Sequence, residues 1–309
     1  MSESDTAGDR ARLVASRLVD AVRERSATRA GTRLRSNGQV RLGSAIVGTL
    51  ALVALVGPLV APYDPTAQVL EARLRGPTLA HPLGTDALGR DVATRIVYGA
   101  RVSLGLSLVA TGVRVVLGTT IGLLAGVSGG IVDAALMRLV DVQLAFPGLI
   151  LALVIAGTLG PSLPNVVIAL SVVGWATYAR VVRGAVLGVK EQPFVESARL
   201  YGTPVRRIAR RHLLPSVVSP VVVLATLNLG TVILAAAGLS FLGLGAQPPT
   251  AEWGTMIADG RTYLRSAPWL ITAPGVAIAL TVIGCNSLGD GLRDALDPNH
   301  LEDGKRRRS

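Results

Sequence analysis

Long runs without a charged residue dominate the pattern of hydrophobic and polar positions along this chain. About 20 helical residues cross the hydrocarbon core of a bilayer, so an apolar run of about 18 residues or more indicates a membrane-spanning helix. Such runs lie at residues 43–61, 115–132, 142–179, 212–251 and 266–289. We therefore predict an all-α integral membrane protein, and the pattern argues against a soluble enzyme.

Two of these runs are too long for a single crossing. The run at 142–179 is interrupted by Gly-Pro-Ser-Leu-Pro at residues 160–164, which breaks a helix and supplies a turn. The run at 212–251 ends in a stretch rich in glycine and proline at 243–249, which cannot continue as a helix. The pattern predicts six spans, near residues 43–61, 102–127, 133–157, 165–187, 216–238 and 268–289.

The basic residues lie mostly on one side of this arrangement. Of the 31 Lys and Arg residues, 22 lie in segments 1–42, 180–215 and 290–309, which six spans place on the same face. Connections rich in Lys and Arg stay in the cytoplasm, so both termini are predicted to be cytoplasmic. The net charge of +11 then reflects topology and attraction to anionic lipid rather than nucleic-acid binding.

These features predict a division of the chain into consecutive parts. Residues 1–42 form a basic cytoplasmic N-terminal tail, and residues 43–101 form the first transmembrane helix and an outer loop. Residues 102–292 form a five-helix core that includes the loop at 190–215, and residues 293–309 form a basic cytoplasmic C-terminal tail.

The loop at 190–215 carries more helix punctuation than a solvated connection needs. Pro193 can open a short helix, and Gly202 stands where a left-handed C-terminal cap is wanted. Thr203 followed by Pro204 is predicted to cap and start a second helix, which Pro215 ends. The sequence favours two short helices that form a docking element, and a plain solvated loop is the alternative.

The same loop resembles the "EAA" loop of permeases of bacterial ATP-binding-cassette (ABC) importers. The match rests on Glu196-Ser197-Ala198, then Gly202, then Leu214-Pro215. Ser197 replaces the usual second alanine, and His212 replaces the usual isoleucine, as is common in the peptide-importer branch. The resemblance implies that the loop docks into a groove of an ATPase subunit. The residues expected to couple the two subunits are Glu196, Ser197, Ala198, Gly202, His212, Leu214 and Pro215.

Residues 43–298 as a whole resemble the C-type inner-membrane permease of dipeptide, oligopeptide and nickel ABC importers. The matching motifs, in order, are residues 81–86, 89–91, 98–101, Phe146-Pro147, 239–245 with Pro248-Pro249, Trp253-Gly254 and 289–298. The resemblance implies the type I importer permease fold. It also implies a homologous second permease, two ABC ATPase subunits and an extracytoplasmic solute-binding protein as partners, with no catalytic site or cofactor in this chain.

Several other motifs are better explained by structure than by chemistry. Residues 126–130 match the GxSxG pattern of serine hydrolases, but they join two spans and are predicted to be a glycine-rich turn. His81, Asp86 and Asp91 are predicted to form a hydrogen-bonded loop rather than a metal site. The sequence contains no GxxxxGK phosphate loop, so ATP is expected to bind to other subunits.

The second predicted span contains a glycine stripe and one charged residue. Gly118, Gly122 and Gly126 repeat every four residues and would let a neighbouring helix approach closely. Arg114 lies near the middle of the span, where a charge is costly. Either Arg114 pairs with an acid or reaches a membrane boundary, or it faces the translocation path; the sequence leaves both open.

The sequence therefore predicts a permease subunit of an ATP-driven peptide importer, a multi-pass protein of the cytoplasmic membrane. Nickel or another small solute is the alternative cargo. A passive channel or an ion-coupled secondary transporter is less favoured, because such proteins usually carry carboxylates within their spans. An intramembrane hydrolase rests only on Ser128.

Overall fold

Helices account for the regular structure of this chain. The computed structural model describes residues 37–296, apart from the side chains of Arg199 and His212, so the predicted tails lie largely outside the described residues. Within this range there is no β-strand, only one bridge between Thr85 and Asp91. The helices are α1 (Gly38–Val60), α2 (Val92–Ser128), α3 (Gly130–Ala145), α4 (Gly148–Leu159), α5 (Leu163–Lys190), α6 (Pro193–Leu200), α7 (Val205–Ile208), α8 (Leu214–Phe241), α9 (Trp253–Gly260) and α10 (Trp269–Leu296).

Five of these helices are long and apolar enough to cross a membrane, namely α1, α2, α5, α8 and α10. The pair α3 and α4 meets the same test together, which gives the predicted six spans when the pair counts as one. The span predicted near 133–157 is bent, because α3 and α4 meet at 87°. Pro147 has no N–H to donate and forces Phe146 into extended backbone, with φ −93° and ψ 139°.

The second span starts earlier than its hydropathy indicated. The Asp91 carboxylate accepts a hydrogen bond from Thr94 N at 2.7 Å and caps α2, which then runs for 37 residues rather than starting near residue 102. A helix of this length measures about 55 Å, against about 30 Å for the hydrocarbon core. The N-terminal part of α2 therefore belongs to the outer loop region.

The predicted glycine stripe packs α2 against α5. A Cβ atom at Gly122 would lie 2.9 Å from Val182 Cβ, and one at Gly126 would lie 2.6 Å from Val186 Cγ1. Gly118 meets Trp175 and Tyr178 in the same way. Close approach of the two backbones therefore depends on the absence of side chains, which confirms the predicted packing role.

The outer loop is held by hydrogen bonds from its polar residues, as predicted. His81 Nδ1 lies 2.9 Å from Asp91 Oδ1, and Asp86 Oδ2 accepts from Arg90 Nε at 2.6 Å.

At the other end of α2, Gly129 and Gly130 have φ values of +66° and +55° and form the predicted turn into α3. The motif around Ser128 is thus a helix connection.

Candidate functional site

Residues 193–213, which we call the coupling knob, project from the end of α5. Pro193 opens α6 as predicted. Val195 on α6 is fully buried and packs in one cluster with Val186, Ile208 and Leu213. The apolar side of α6 is therefore fixed to the membrane helices, while its other side faces outward.

Gly202 closes α6 with a left-handed residue, as the sequence predicted. Its φ is +73°, and Thr203 N donates to Ala198 O at 3.0 Å across the turn, which is the Schellman closure. A Cβ atom at Gly202 would meet no atom within 4 Å. Glycine is therefore required here by the backbone conformation, and the space beside it is open to a partner.

The second half of the knob differs from the prediction. Pro204 rather than Thr203 occupies the cap position of α7, because Pro204 itself is extended, with φ −57° and ψ 138°. Pro215 does not end this segment: α7 continues through a π-helical turn, Ala209–Leu213, directly into α8. The turn is wide because Leu214 N donates to Ala209 O, five residues back, and Pro215, which has no N–H to donate, stands at the start of α8.

The outward side of the knob is apolar to an unusual degree. Phe194 is 51% exposed, Leu200 83%, Tyr201 88% and Val205 59%. Exposed apolar side chains grouped in this way indicate a surface that binds another protein or a membrane. Leu200 and Val205 were not predicted from the sequence, although large apolar residues on both sides of Gly202 in a charged segment were a usable signal.

The residues predicted to couple to the ATPase differ in their positions. Glu196 and Ser197 are exposed on α6, where Ser197 Oγ donates to Pro193 O at 2.8 Å, and Ala198 is half-buried. Leu214 and Pro215 are exposed at the start of α8, after the π turn. The side chain of His212 lies outside the described residues.

Lys190 joins the base of the knob to the end of α2. Its Nζ donates to Gly126 O at 3.0 Å and to Val127 O at 3.2 Å, carbonyls of the last turn of α2. A cavity of about 320 Å³ lies beside it, lined by Val127, Val205 and Leu213 among others. The knob, α2 and α5 therefore meet at one place, and this junction was not predicted from the sequence.

Two ion pairs fix α3 to α5 near the same end. Asp133 accepts from Arg183 Nε at 2.5 Å and from Arg183 Nη2 at 2.6 Å, a bidentate pair. Arg180 Nη2 donates to Asp141 at 2.6 Å on the exposed surface. The carboxylates of α3 thus attach the helix before the bend to the helix that carries the knob.

Arg114 is buried between α2 and α5. Its Nε donates to Leu170 O at 2.7 Å, and its guanidinium lies over Gly174, where a side chain would clash with it. Arg114 is 9% exposed and forms no ion pair with an acid among residues 37–296. The charge is therefore held by a backbone carbonyl in the helix core.

Comparison with protein families gives two matches. A family model described as "Binding-protein-dependent transport system inner membrane component" matches residues 118–300. A second, described as "N-terminal TM domain of oligopeptide transport permease C", matches residues 27–79. The first begins at Gly118 in the glycine stripe of α2 and includes α3 to α10.

Curated relatives and a solved structure agree with these matches. The dipeptide transport system permease protein of Alkalihalophilus pseudofirmus is 44% identical, with 86% of this chain and 88% of the relative covered. The nickel transport system permease protein of Escherichia coli K12 is also 44% identical, with 86% and 96% covered. A chain of the inward-facing MetNI methionine ABC transporter is similar in fold, with a TM-score of 0.53 and 22% identity over 65% of this chain and 96% of that chain.

Proposed function

The chain belongs to the binding-protein-dependent transport system inner membrane component family, and we propose that it is the permease subunit of an ATP-driven peptide importer. It is a multi-pass inner-membrane protein, and members of its family work with an ATPase and a binding protein. We propose that one homologous permease and two ATPase subunits complete the transporter, with ATP hydrolysis on the ATPases. Both termini and the coupling knob would lie in the cytoplasm.

The observation that carries this proposal is the construction of the coupling knob. Its inner side is fixed by Val195, and its outer side exposes Phe194, Leu200, Tyr201 and Val205. Glu196 adds an exposed charge to the outer side. A rigid element with one anchored side and one exposed side suits docking into a groove of an ATPase.

Movement of the knob would reach the membrane helices through its anchors. Lys190 connects its base to α2, and the cluster around Val195 connects it to α5 and α8. Because α2 and α5 are in backbone contact along the glycine stripe, the pair would respond as a unit. Closure of the ATPases would then switch access from one side of the membrane to the other by rigid-body rotation.

Two parts of the proposal concern the solute and its path. One relative is named for dipeptide transport and another, with the same sequence identity to this chain, for nickel transport. We propose a peptide, with the path between this chain and the second permease. Arg114 is proposed as a residue that borders the path when α2 and α5 move, since its only hydrogen bond among the described residues is to Leu170 O.

The test is copurification in mild detergent followed by uptake in intact cells. The proposal expects ATPase subunits to accompany the chain, and ATP-dependent uptake of labelled dipeptide that excess nickel does not compete away. Glu196→Lys should weaken ATPase retention, in part reversibly with salt, because it reverses an exposed charge. Glu191→Lys, an equal change just before the knob, is the matched control.

Uptake of nickel rather than dipeptide would overturn the assignment of the solute alone. Absence of any copurifying ATPase, with intact membrane insertion, would overturn the importer assignment. Equal ATPase retention by the Glu196→Lys variant, the Glu191→Lys variant and the unaltered chain would show that α6 does not dock.

A further inference from the structure

A second polar site lies at the opposite end of α2 from the knob. A cavity of about 430 Å³ is enclosed by the end of the outer loop and by residues of and after α9. Its lining includes Asp86, Arg90, Arg95, Met256, Asp259 and Tyr263. The cavity lies at the N-terminal end of α2, and the knob lies at its C-terminal end, about 55 Å away along the helix.

Two deeply buried arginines share one carboxylate beside the cavity. Arg90 is 7% exposed and Arg95 is 3% exposed. Asp86 Oδ2 accepts from Arg90 Nε at 2.6 Å and lies 3.6 Å from Arg95 Nε. Among the described residues, Asp86 is the one carboxylate within 4.0 Å of either guanidinium, so this cluster carries one more positive than negative charge. A low-dielectric setting makes such an excess costly unless an anion joins it.

The arginines also keep hydrogen-bond donors for that anion. Arg95 Nη1 donates to Pro65 O at 3.0 Å, but Arg95 Nη2 and both terminal nitrogens of Arg90 donate to no residue of the range 37–296. None of these nitrogens is among the fully buried atoms that lack a partner, so the cavity reaches them. Two planar guanidinium groups side by side are the donor set that carboxylates prefer.

The nearest acid of this chain across the cavity does not fill the position. Asp259 lies at the exposed rim and comes within 4.0 Å of neither guanidinium. Partial desolvation raises the pKa of Asp259, against the opposing effect of Arg90 and Arg95. Asp259 therefore offsets part of the positive charge of Arg90 and Arg95 from across the cavity, and it leaves their free N–H groups to a ligand.

We propose that this cavity binds a carboxylate group from the extracytoplasmic side, with Arg90 and Arg95 as its donors. The carboxylate comes either from an acidic side chain of the binding protein or from the peptide cargo. The assignment to the outer side and the two sources of the carboxylate rest on the proposed function. The chemistry of the site rests on the cavity and the two arginines.

The first experiment measures carboxylate binding by the purified full-length chain. Acetate is titrated at constant ionic strength against chloride, and the midpoint of thermal unfolding reports binding. Arg90→Gln leaves Asp86 beside Arg95 and should raise the apparent acetate dissociation constant by about 10- to 100-fold. Ala258→Phe fills the cavity without altering a charge and should raise the apparent acetate dissociation constant as well. Arg265→Gln lies outside the cavity lining and should bind acetate like the unaltered chain.

The second experiment separates the two sources of the carboxylate in the assembled transporter. One arm measures the affinity for purified binding protein, and the other compares binding of alanyl-alanine with that of its C-terminal amide. If the Arg90→Gln variant loses affinity for the binding protein, the carboxylate comes from the binding protein. If the variant instead loses its preference for alanyl-alanine over the amide, the carboxylate comes from the peptide cargo. Acetate that stabilises the unaltered chain and both cavity variants equally would overturn the proposal. Failure of ATP-driven uptake by the unaltered chain would instead count against the proposed function, whatever acetate does.

Discussion

Replacing Gly202 by valine tests whether the knob couples to the ATPase. The residue has φ +73°, a conformation that costs an L residue roughly 1–2 kcal/mol, and more when it is β-branched. No steric term adds to this within the chain, because a Cβ atom at Gly202 meets nothing within 4 Å. A cost of this size lowers the population of the native turn by about 5- to 30-fold.

The effect should stay local, because the turn lies outside the spans and away from the contact of α2 with α5. Membrane insertion is therefore expected to be normal, while α6 tilts about its anchor at Val195 and ATPase retention falls. ATP-dependent uptake of labelled peptide should be abolished. Gly202→Ala should be intermediate, since it carries the backbone penalty without the β-branch or the bulk.

The assay pairs two readings on each variant: the amount of ATPase retained on purified permease, and peptide uptake by cells with equal permease levels. Gly188→Val is the matched control, because Gly188 is helical, lies shortly before the knob and also has no atom within 4 Å of a built Cβ. Full ATPase retention and full uptake in the Gly202→Val variant would refute the coupling role of residues 193–213.

Three further predictions concern the membrane region. A reporter that is active only outside the cytoplasm should work when fused after Gly76 or Gly260 and be silent after Gly188 or Ser309; activity after Gly188 would refute the six-span topology. Arg114→Ala should alter uptake while assembly of the transporter stays intact, because the lost hydrogen bond to a helix carbonyl costs about 1 kcal/mol. A fall in the amount of assembled complex, without a specific change in uptake, would assign Arg114 a structural role. Gly122→Val should lower the yield of folded protein, because overpacking against α5 costs about 1–3 kcal/mol. The control is Gly112→Val on the same helix, which should resemble the unaltered chain because a Cβ atom at Gly112 meets nothing within 4 Å.

Local signals in the sequence were sufficient for much of the fold and for part of the knob. The apolar runs predict the spans because burial in lipid acts on each helix separately. Gly202 could be predicted because a left-handed cap depends on a few neighbouring residues. The bend at Phe146-Pro147 also had a local signal, the proline, but the continuous apolar run around it predicted a span with no break.

Features that depend on distant residues could not be predicted. Arg114 was recognised as costly, yet its acceptor Leu170 lies 56 positions away and its space is created by Gly174. Lys190 appears in the sequence as one more basic loop residue, and only tertiary packing brings it to the end of α2. The same holds for Arg90 and Asp259, which border one cavity from separate parts of the chain.

The π turn at Ala209–Leu213 decides which side chains of the knob and of α8 point the same way. In a regular α-helix, residues five positions apart point about 140° away from each other, because each residue adds about 100° of rotation. The extra residue of the π turn removes most of that difference, and Ile208 and Leu213, five positions apart, are buried in one cluster. The side of this continuous rod that packs inward, and with it the side that faces outward, is thus set by the number of residues in one turn.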